Sequence, residues 1–391
     1  MLIDARNVPA ASRFDADVCI IGAGAAGLAL AREFLGSTTR ICVVESGGLG
    51  PDAFANSLNL GTNLGLPYYD LETTRERQFG GTTATWSGRC VPLDPIDFET
   101  RPWVPYSGWP IGYDDLKSYY ARANEVCDLG DGRFDESLWE DLGLDRPGLD
   151  PALFTTRFWR IRVRRFGEAF RREFEKAENV HVLLHATATG LRATWNAAAV
   201  DHLELKTAAG NTLTVHAQRY VLAAGGIENA RLLLASDDVE TAGLGNGNGL
   251  VGRFFMEHPK CRLARIETPE PYRFLETWRK HFPTGQPYLW PTVVATAAAQ
   301  REHAMLNSSL GIYYRSLPGV TEAALSIWEA RRRRRMPKHL LRSLMSFLPV
   351  LDELPSNLVR RFIRRRAMIA RPKHIYLLLR GEQAPNPESR V

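Results

Sequence analysis

Residues 17–48 read DVCIIGAGAAGLALAREFLGSTTRICVVESGG, and the fold turns on how they are read. An apolar, β-branched run from Val18 to Ile21 meets a Gly-rich turn. A segment with Leu28, Leu30, Phe34 and Leu35 follows, then a second apolar run ending at Glu45. A short buried-type run, a helical stripe and another short run predict a βαβ unit. Gly22, Gly24 and Gly27 form G-x-G-x-x-G at the strand-to-helix junction. Gly22 makes the tight turn, Gly24 lets backbone approach a pyrophosphate, and Gly27 allows close helix–strand packing. The helix N-terminus, with Ala25 and Ala26, offers free N–H groups to the phosphates. Glu45, 23 residues after Gly22, is placed to accept from ribose hydroxyls, with Ser46 beside it. A ligand-free turn could carry the same glycines, but strand, helix and acid at this spacing together favour a dinucleotide.

Around this unit, 391 residues with 45% hydrophobic and 24% charged side chains are ordinary for a soluble globular chain of two or three domains. The five cysteines form no C-x-x-C and no metal-type cluster, so reduced thiols in a cytoplasmic protein and no metal are expected. Cys19 and Cys42 sit in the apolar runs as small hydrophobes. The first 17 residues lack the pattern of a secretory leader, and no run approaches the roughly 18 apolar residues of a membrane span. Net charge is +5 but uneven: 14 Lys or Arg lie between Arg331 and Lys373 against two acids, Asp352 and Glu353.

Residues 55–110 are rich in Gly, Pro and aromatics and predict long ordered connections. GYDDLKSYYARANEVCDL reads as a helix started by Asp114 or Asp115, and RFGEAFRREFEKAENV as another. Three runs, VHVLLHATATGLRATW, VDHLELKTAAG and TLTVHAQRYVLAAGG, suggest an antiparallel meander. Strands KCRLARIET, LNSSLGIYYRS and KHIYLLLRGE follow, with a basic helical region between the last two.

Two more motifs bear on the ligand. YVLAAGGIENARLLLAS, a strand running into Gly225 before a helix about 200 residues downstream, is the return that two-segment FAD folds make to the adenosine end. RQFGGTTATWSGRC (77–90) offers Gly80 and Gly81 to lie against a flat ring, hydroxyls on Thr82 and Thr83, and the face of Trp86. At this point the chain resembles the glucose-methanol-choline (GMC) oxidoreductases, whose flavin loop carries the same Gly-Gly-Thr/Ser-Thr/Ser phrase. PLDPIDFETRPWVPYSGWPI, IENARLLLAS and GLVGRFFMEHP extend the likeness, which is nearest to the pyranose-oxidase-like, sugar-oxidising bacterial branch.

The resemblance implies a mixed α/β fold: a Rossmann-like FAD domain from 1–130 and 180–260 with an antiparallel meander, a helical connection at 131–179, and part of a substrate domain at 261–391 with a basic helical region at 321–372. FAD would contact Gly22, Gly24, Ala25, Ala26, Gly27, Glu45, Ser46, Gly80, Gly81, Thr82, Thr83, Trp86, Ala188, Ala224 and Gly225. Thr85 stands where some pyranose oxidases carry a flavin-linked histidine, so non-covalent FAD is expected. The implied reaction is hydride transfer from the CH–OH group of a sugar or other alcohol. In the family the base is a His on a segment following a phrase like EQAPNPESRV (382–391), so the catalytic residues are unknown here and the chain reads as a truncated enzyme. The alternatives are a flavoprotein subunit needing a partner chain, a non-catalytic flavoprotein, and another two-segment FAD fold. His258 and the histidines at 181, 185, 202, 216 and 374 are read as structural. The final strand is expected to be left without neighbours, an exposed edge that invites aggregation, so that the chain alone is expected to be poorly soluble or to hold FAD weakly. The basic region is a solvated helical pair, a dock for an acidic electron-acceptor protein, or a peripheral contact with anionic lipid; nothing in it specifies nucleic acid.

Overall fold

The computed structural model describes residues 1–332, 336–337 and 339–391, so most of the arginine run at 331–335 lies outside the described residues. Among the described residues the strands are, in chain order, β1 (Leu2–Asp4), β2 (Arg13–Ile21), β3 (Ile41–Val44), β4 (Arg89–Cys90), β5 (Phe154–Ile161), β6 (Val180–Leu184), β7 (Thr187–Ala193), β8 (Val200–Lys206), β9 (Thr212–Leu222), β10 (Lys260–Ile266), β11 (Tyr288–Ala295), β12 (Ser308–Arg315) and β13 (His374–Gly381).

The opening motif forms β2, the helix Ala25–Glu33 and β3. The first sheet has the order β1-β6-β3-β2-β9-β8-β7. Its first five strands are parallel, and β8 and β7 continue antiparallel. The meander is therefore β7–β8–β9, and the run predicted as one arm at 180–195 divides in two. His185, at φ 57, breaks that run, and its N–H donates to the Gly47 carbonyl at 3.0 Å. Val180–Leu184 is thereby free to insert between β1 and β3, apolar at every position but His181, as suits a parallel interior strand. Cys19, Ile21, Cys42 and Val44 pack with Leu203, Leu205, Leu213 and Val215 in one core, so the two cysteines are the buried hydrophobes expected.

The chain divides into two compact units, Met1–Trp86 with Arg164–Phe255 and Asn386–Val391, and Ser87–Val163 with Met256–Pro385. These bounds differ from the expected domains: 87–130 and 131–163 fall in the second unit, and the last six residues return to the first. There Val391 N donates to Gly252 O at 2.8 Å, and Phe255 N to Ser389 O at 2.8 Å.

The second unit holds an antiparallel sheet, β10-β13-β12-β11-β5-β4. The expected helical connection at 131–179 is corrected by β5, whose alternating FTTRFWRI pairs with both β11 and β4. The last strand, β13, is not left without neighbours: β12 and β10 flank it. One face of the sheet buries Phe158, Leu289, Val293, Ile312 and Ile375 against Trp139, Leu275 and Trp278. The helix Tyr113–Cys127 starts after Gly112, and Asp115 caps it by accepting from Gly112 N at 2.7 Å. The basic region forms helices Val320–Arg332, Leu340–Met345 and Leu354–Leu358. Leu341, Phe362 and Ile363 stay 78%, 65% and 74% exposed, so its apolar side chains are only partly packed.

A methyl group at Gly27 would lie 1.9 Å from the Gly22 carbonyl oxygen. Gly27→Ala should therefore cost about 1–3 kcal/mol in urea unfolding, whereas Gly247→Ala, with nothing within 4 Å, should stay within about 0.5 kcal/mol of wild type.

Candidate functional site

The first unit contains a cleft of about 540 Å³. Its walls bring together Gly22 and Gly24–Ala26 from the first turn, Glu45 and Ser46 from the end of β3, Gly81–Thr83 and Trp86 from the flavin-type loop, Ala188 from β7, and Ala224 with Gly225 after β9. At Gly24 a side chain would find nothing within 4 Å, so the backbone at the start of the helix Ala25–Glu33 stands open to a ligand.

Gly27 and Gly80 are not among the lining residues. They hold the walls from behind, Gly27 against Gly22 as described. Gly80, at φ 94, has no room for a methyl group, which would lie 2.4 Å from Gly167 N. Its N–H donates to Ala23 O at 2.8 Å, stitching the loop to the turn. Gly81 in turn approaches Gly24, where a methyl would sit 2.8 Å from Cα. The two threonines differ. Thr83 is buried, its hydroxyl donating to Gly80 O at 2.5 Å and accepting from Phe166 N at 3.1 Å. Thr82 is exposed and its hydroxyl accepts from Glu76 N at 3.3 Å. Trp86 is fixed by its indole N–H donating to Arg164 O at 3.1 Å.

Glu45 is buried and its two carboxylate oxygens accept from Ala23 N at 3.0 Å and Gly47 N at 2.9 Å. Burial is the dominant effect and pushes its pKa up to about 7, against the pull of those N–H groups and of Arg77.

Sequence reasoning missed a second charged cluster in the same cleft. Glu228, in the first turn of the helix Gly226–Leu234, is ion-paired with Arg75 Nη2 at 2.8 Å, Arg77 Nη2 at 2.7 Å and Arg231 Nε at 2.8 Å. Burial alone would raise its pKa, but the Arg231 hydrogen bond and the charges of the three arginines win and hold it below the usual carboxylate range. Arg77 also donates to Asn59 Oδ1 at 2.7 Å and Ser46 Oγ at 3.0 Å, tying the end of β3 to the loop before Gly80. Arg75 keeps Nε and Nη1 buried without a partner. Three guanidinium groups around one carboxylate leave donors for an anion, and the open backbone at Gly24 adds more; the donor set fits the diphosphate of FAD. The usable signal in the sequence was Arg-x-Arg (75–77), two residues before Gly80-Gly81, in a stretch that reads as loop.

Comparison with known proteins agrees with this chemistry. A family described as FAD dependent oxidoreductase (DAO) matches residues 17–243, more than half of the chain. The chain belongs to that family: it is an FAD-dependent oxidoreductase with a mixed α/β fold. No curated protein matches it in sequence. Among solved structures it is similar to a formate oxidase, at 15% identity and a TM-score of 0.45 over 96% of this chain and 73% of that one. It is also similar to a pyridoxine 4-oxidase from Mesorbium loti, at 18% identity and a TM-score of 0.42 over 72% and 66%, and to a fungal aryl-alcohol oxidase, at 14% identity and 0.41 over 66% and 55%. No helix among the described residues is long and apolar enough to cross a membrane.

Because the folded state raises the Glu45 pKa from 4.5 to about 7, it binds a proton that the unfolded chain has released. Stability of the FAD-free protein should fall as pH rises through that window, by up to about 1.4 kcal/mol per pH unit from this group. Urea titrations of wild type and Glu45→Gln across the window should differ by this slope and run parallel above it. Glu228→Gln should cost about 3–5 kcal/mol, since it strands the buried guanidinium groups.

Proposed function

We propose that the first-unit cleft holds FAD non-covalently and that the enzyme oxidises the CH–OH group of a sugar or other alcohol, as the GMC likeness of its motifs implies. The observation that supports this best is the meeting of three motifs, Gly22–Ala26, Gly81–Trp86 and Ala224–Gly225, on one cleft. When bound, FAD supplies the two-electron acceptor for a hydride. The chain's own residues then do the rest. Backbone N–H groups at Ala25 and Ala26 and the unpaired donors of Arg75 hold the diphosphate. Glu45 fixes the first turn and faces the adenosine ribose, Ala188 and Ala224 leave room beside it, and Gly81, Thr82 and Trp86 flank the ring system. Thr85 has no imidazole to link to the flavin, which supports dissociable cofactor.

The base is not assigned. His281 is a poor candidate: it is fully buried between Thr277 O and Arg366, and burial with the Arg366 charge lowers its pKa to about 3. His258 is exposed in the second unit. A partner chain or further segment supplying the base, with or without an electron-acceptor protein, is the second reading.

Purified protein should carry flavin that stays in the supernatant after acid precipitation; flavin in the pellet would defeat non-covalent binding. Anaerobic addition of sugars and polyols should bleach the flavin band near 450 nm. Bleaching only after a second chain is added would move the reading to a subunit that needs its partner.

The region 340–366 combines exposed Leu341, Phe362 and Ile363 with exposed Arg342, Arg364 and Arg365. Apolar side chains available for insertion beside arginines favour an anionic lipid surface over an acidic protein. Co-sedimentation with phosphatidylglycerol vesicles should drop about tenfold between low salt and 0.5 M salt and be weak with neutral lipid; salt-indifferent binding would sink this docking reading.

A further inference from the structure

The second unit's sheet has one face in the hydrophobic core, and its other face carries a different chemistry. Phe158, Leu289 and Ile312 face the core, so their neighbours Trp159, Trp290 and Tyr313 stand on the opposite side. Register sets Trp159 directly across from Trp290, with ring centroids 6.1 Å apart, and Tyr313 lies 5.4 Å from Trp290. Four cations crowd these rings. The Arg89 guanidinium is 4.4 Å from the Trp159 ring and 4.5 Å from the Trp290 ring. Arg279 and Lys280 lie 5.3 and 5.2 Å from Trp290, and Arg380 lies 5.3 Å from Trp159 and 5.2 Å from Tyr313.

Among the described residues none of the four makes an ion pair with a carboxylate. Their recorded polar partners are neutral: Tyr313 Oη accepts from Arg380 and Arg89, and Ile312 O accepts from Arg279. Several donors are left over. Arg89 Nε, Arg279 Nε, Arg380 Nη1 and the Trp290 indole N–H are all buried without a partner. Burial, joined by the neighbouring charges of Arg279 and Arg89, lowers the Lys280 pKa to about 8. Gly311 makes the crowding feasible, since a methyl there would sit 2.8 Å from the Tyr313 ring and 3.1 Å from Arg380 Nη1. Cation–π contact offsets part of the desolvation of such groups but supplies no counter-charge, and unpaired buried donors are rare unless something occupies them.

We propose that this face is an anion-recognition site, where Arg89, Arg380, Arg279 and Lys280 take the carboxylate or phosphate of a polyhydroxylated molecule whose carbon skeleton lies on Trp159 and Trp290. This deepens the proposed function and rests on it in calling that molecule the substrate, which then is an acidic sugar or polyol rather than a neutral one. The physical reason is the one that governs small-ligand sites generally: aromatic surface supplies contact area and a few converging charged donors set the specificity. An alcohol lacking the anion would leave those cations uncompensated and should be discriminated against.

The test is calorimetric titration of the FAD-loaded protein with gluconate, glucose 6-phosphate, glucose and inorganic phosphate. Gluconate or glucose 6-phosphate should bind at least about tenfold more tightly than glucose and more tightly than inorganic phosphate, and added salt should weaken the binding. The better of the two identifies the anion. Arg89→Gln and Arg380→Gln should each lose about tenfold or more, while Arg301→Gln, on an exposed pair with Glu99, should not. Should either variant fail to fold, the ligand and salt series on the unaltered protein still decide. Glucose binding as well as its charged counterparts, or inorganic phosphate binding as tightly as the sugar anions, would overturn the proposal. Flavin bleaching separates the two levels: tight sugar-anion binding without bleaching leaves the site standing and defeats the reading of that sugar anion as the molecule this chain oxidises unaided, and bleaching by neutral sugars without anion binding does the reverse.

Discussion

Backbone pressed directly on backbone is the constraint on which the first unit depends. Gly27 sits on the carbonyl of Gly22, Gly22 on the peptide of Ala223, Gly81 on the Cα of Gly24 and Gly80 on Gly167. No side chain separates these segments, and none could be added without moving a main chain. As a result stretches far apart in sequence meet as one wall, and the start of the helix Ala25–Glu33 is exposed to the cleft instead of being covered by its neighbours. Gly80 N–H to Ala23 O and Gly22 N–H to Val44 O, both 2.8 Å, then lock the approach with hydrogen bonds. The cleft is thus a consequence of close packing around it, and the same glycines that permit the packing give the backbone access to a ligand.

Two buried glutamates in that cleft resolve the cost of burial in opposite ways. Glu45 has backbone N–H groups and a more distant arginine, and burial prevails. Glu228 has three guanidinium groups in contact, and they prevail. The first is poised to change protonation near neutrality, while the second remains a fixed charge on which Arg75, Arg77 and Arg231 are organised. Arg77 is the more consequential of the arginines because it reaches Ser46, Asn59 and Glu228 at once. It therefore couples the end of β3 to the loop that carries Gly80 and to the helix after Gly225.

What was legible in the sequence was what local sterics dictate. The βαβ unit, the three-glycine turn, the Gly-Gly-Thr-Thr loop and the Gly225 return each announce themselves within a few residues. Features that depend on long-range pairing did not. Thr155, Arg157 and Arg160 make β5 look polar and connective, and only its pairing with Trp290 and Ile161's place beside Arg89 make it a sheet strand. The strand at Val180–Leu184 reads in sequence as part of the meander arm because a left-handed residue at His185 is invisible in composition. Thr83 was read as a ligand donor, yet its hydroxyl is engaged by Gly80 and Phe166, a use that sequence spacing does not reveal. Arg75 and Arg77 carry no local sign of their role because their carboxylate, Glu228, lies about 150 residues away.

A net charge of +5 describes this chain poorly, because groups of its cations sit in different physical states. Around Glu228 they are compensated by a buried carboxylate and act as struts. Across residues 340–366 several face water, where screening makes each worth little alone and their sum matters only at another charged surface. On the second sheet's aromatic face they are neither paired with a carboxylate nor fully hydrated, and the tryptophan rings beneath them attract positive charge without neutralising it. That third state is the one a folded chain tolerates least by itself, since desolvation and the charges of neighbouring cations act together on Arg89 and Lys280. Its persistence next to a well-packed core, with Gly311 kept small to admit two of the side chains, argues that the arrangement is organised around something negatively charged.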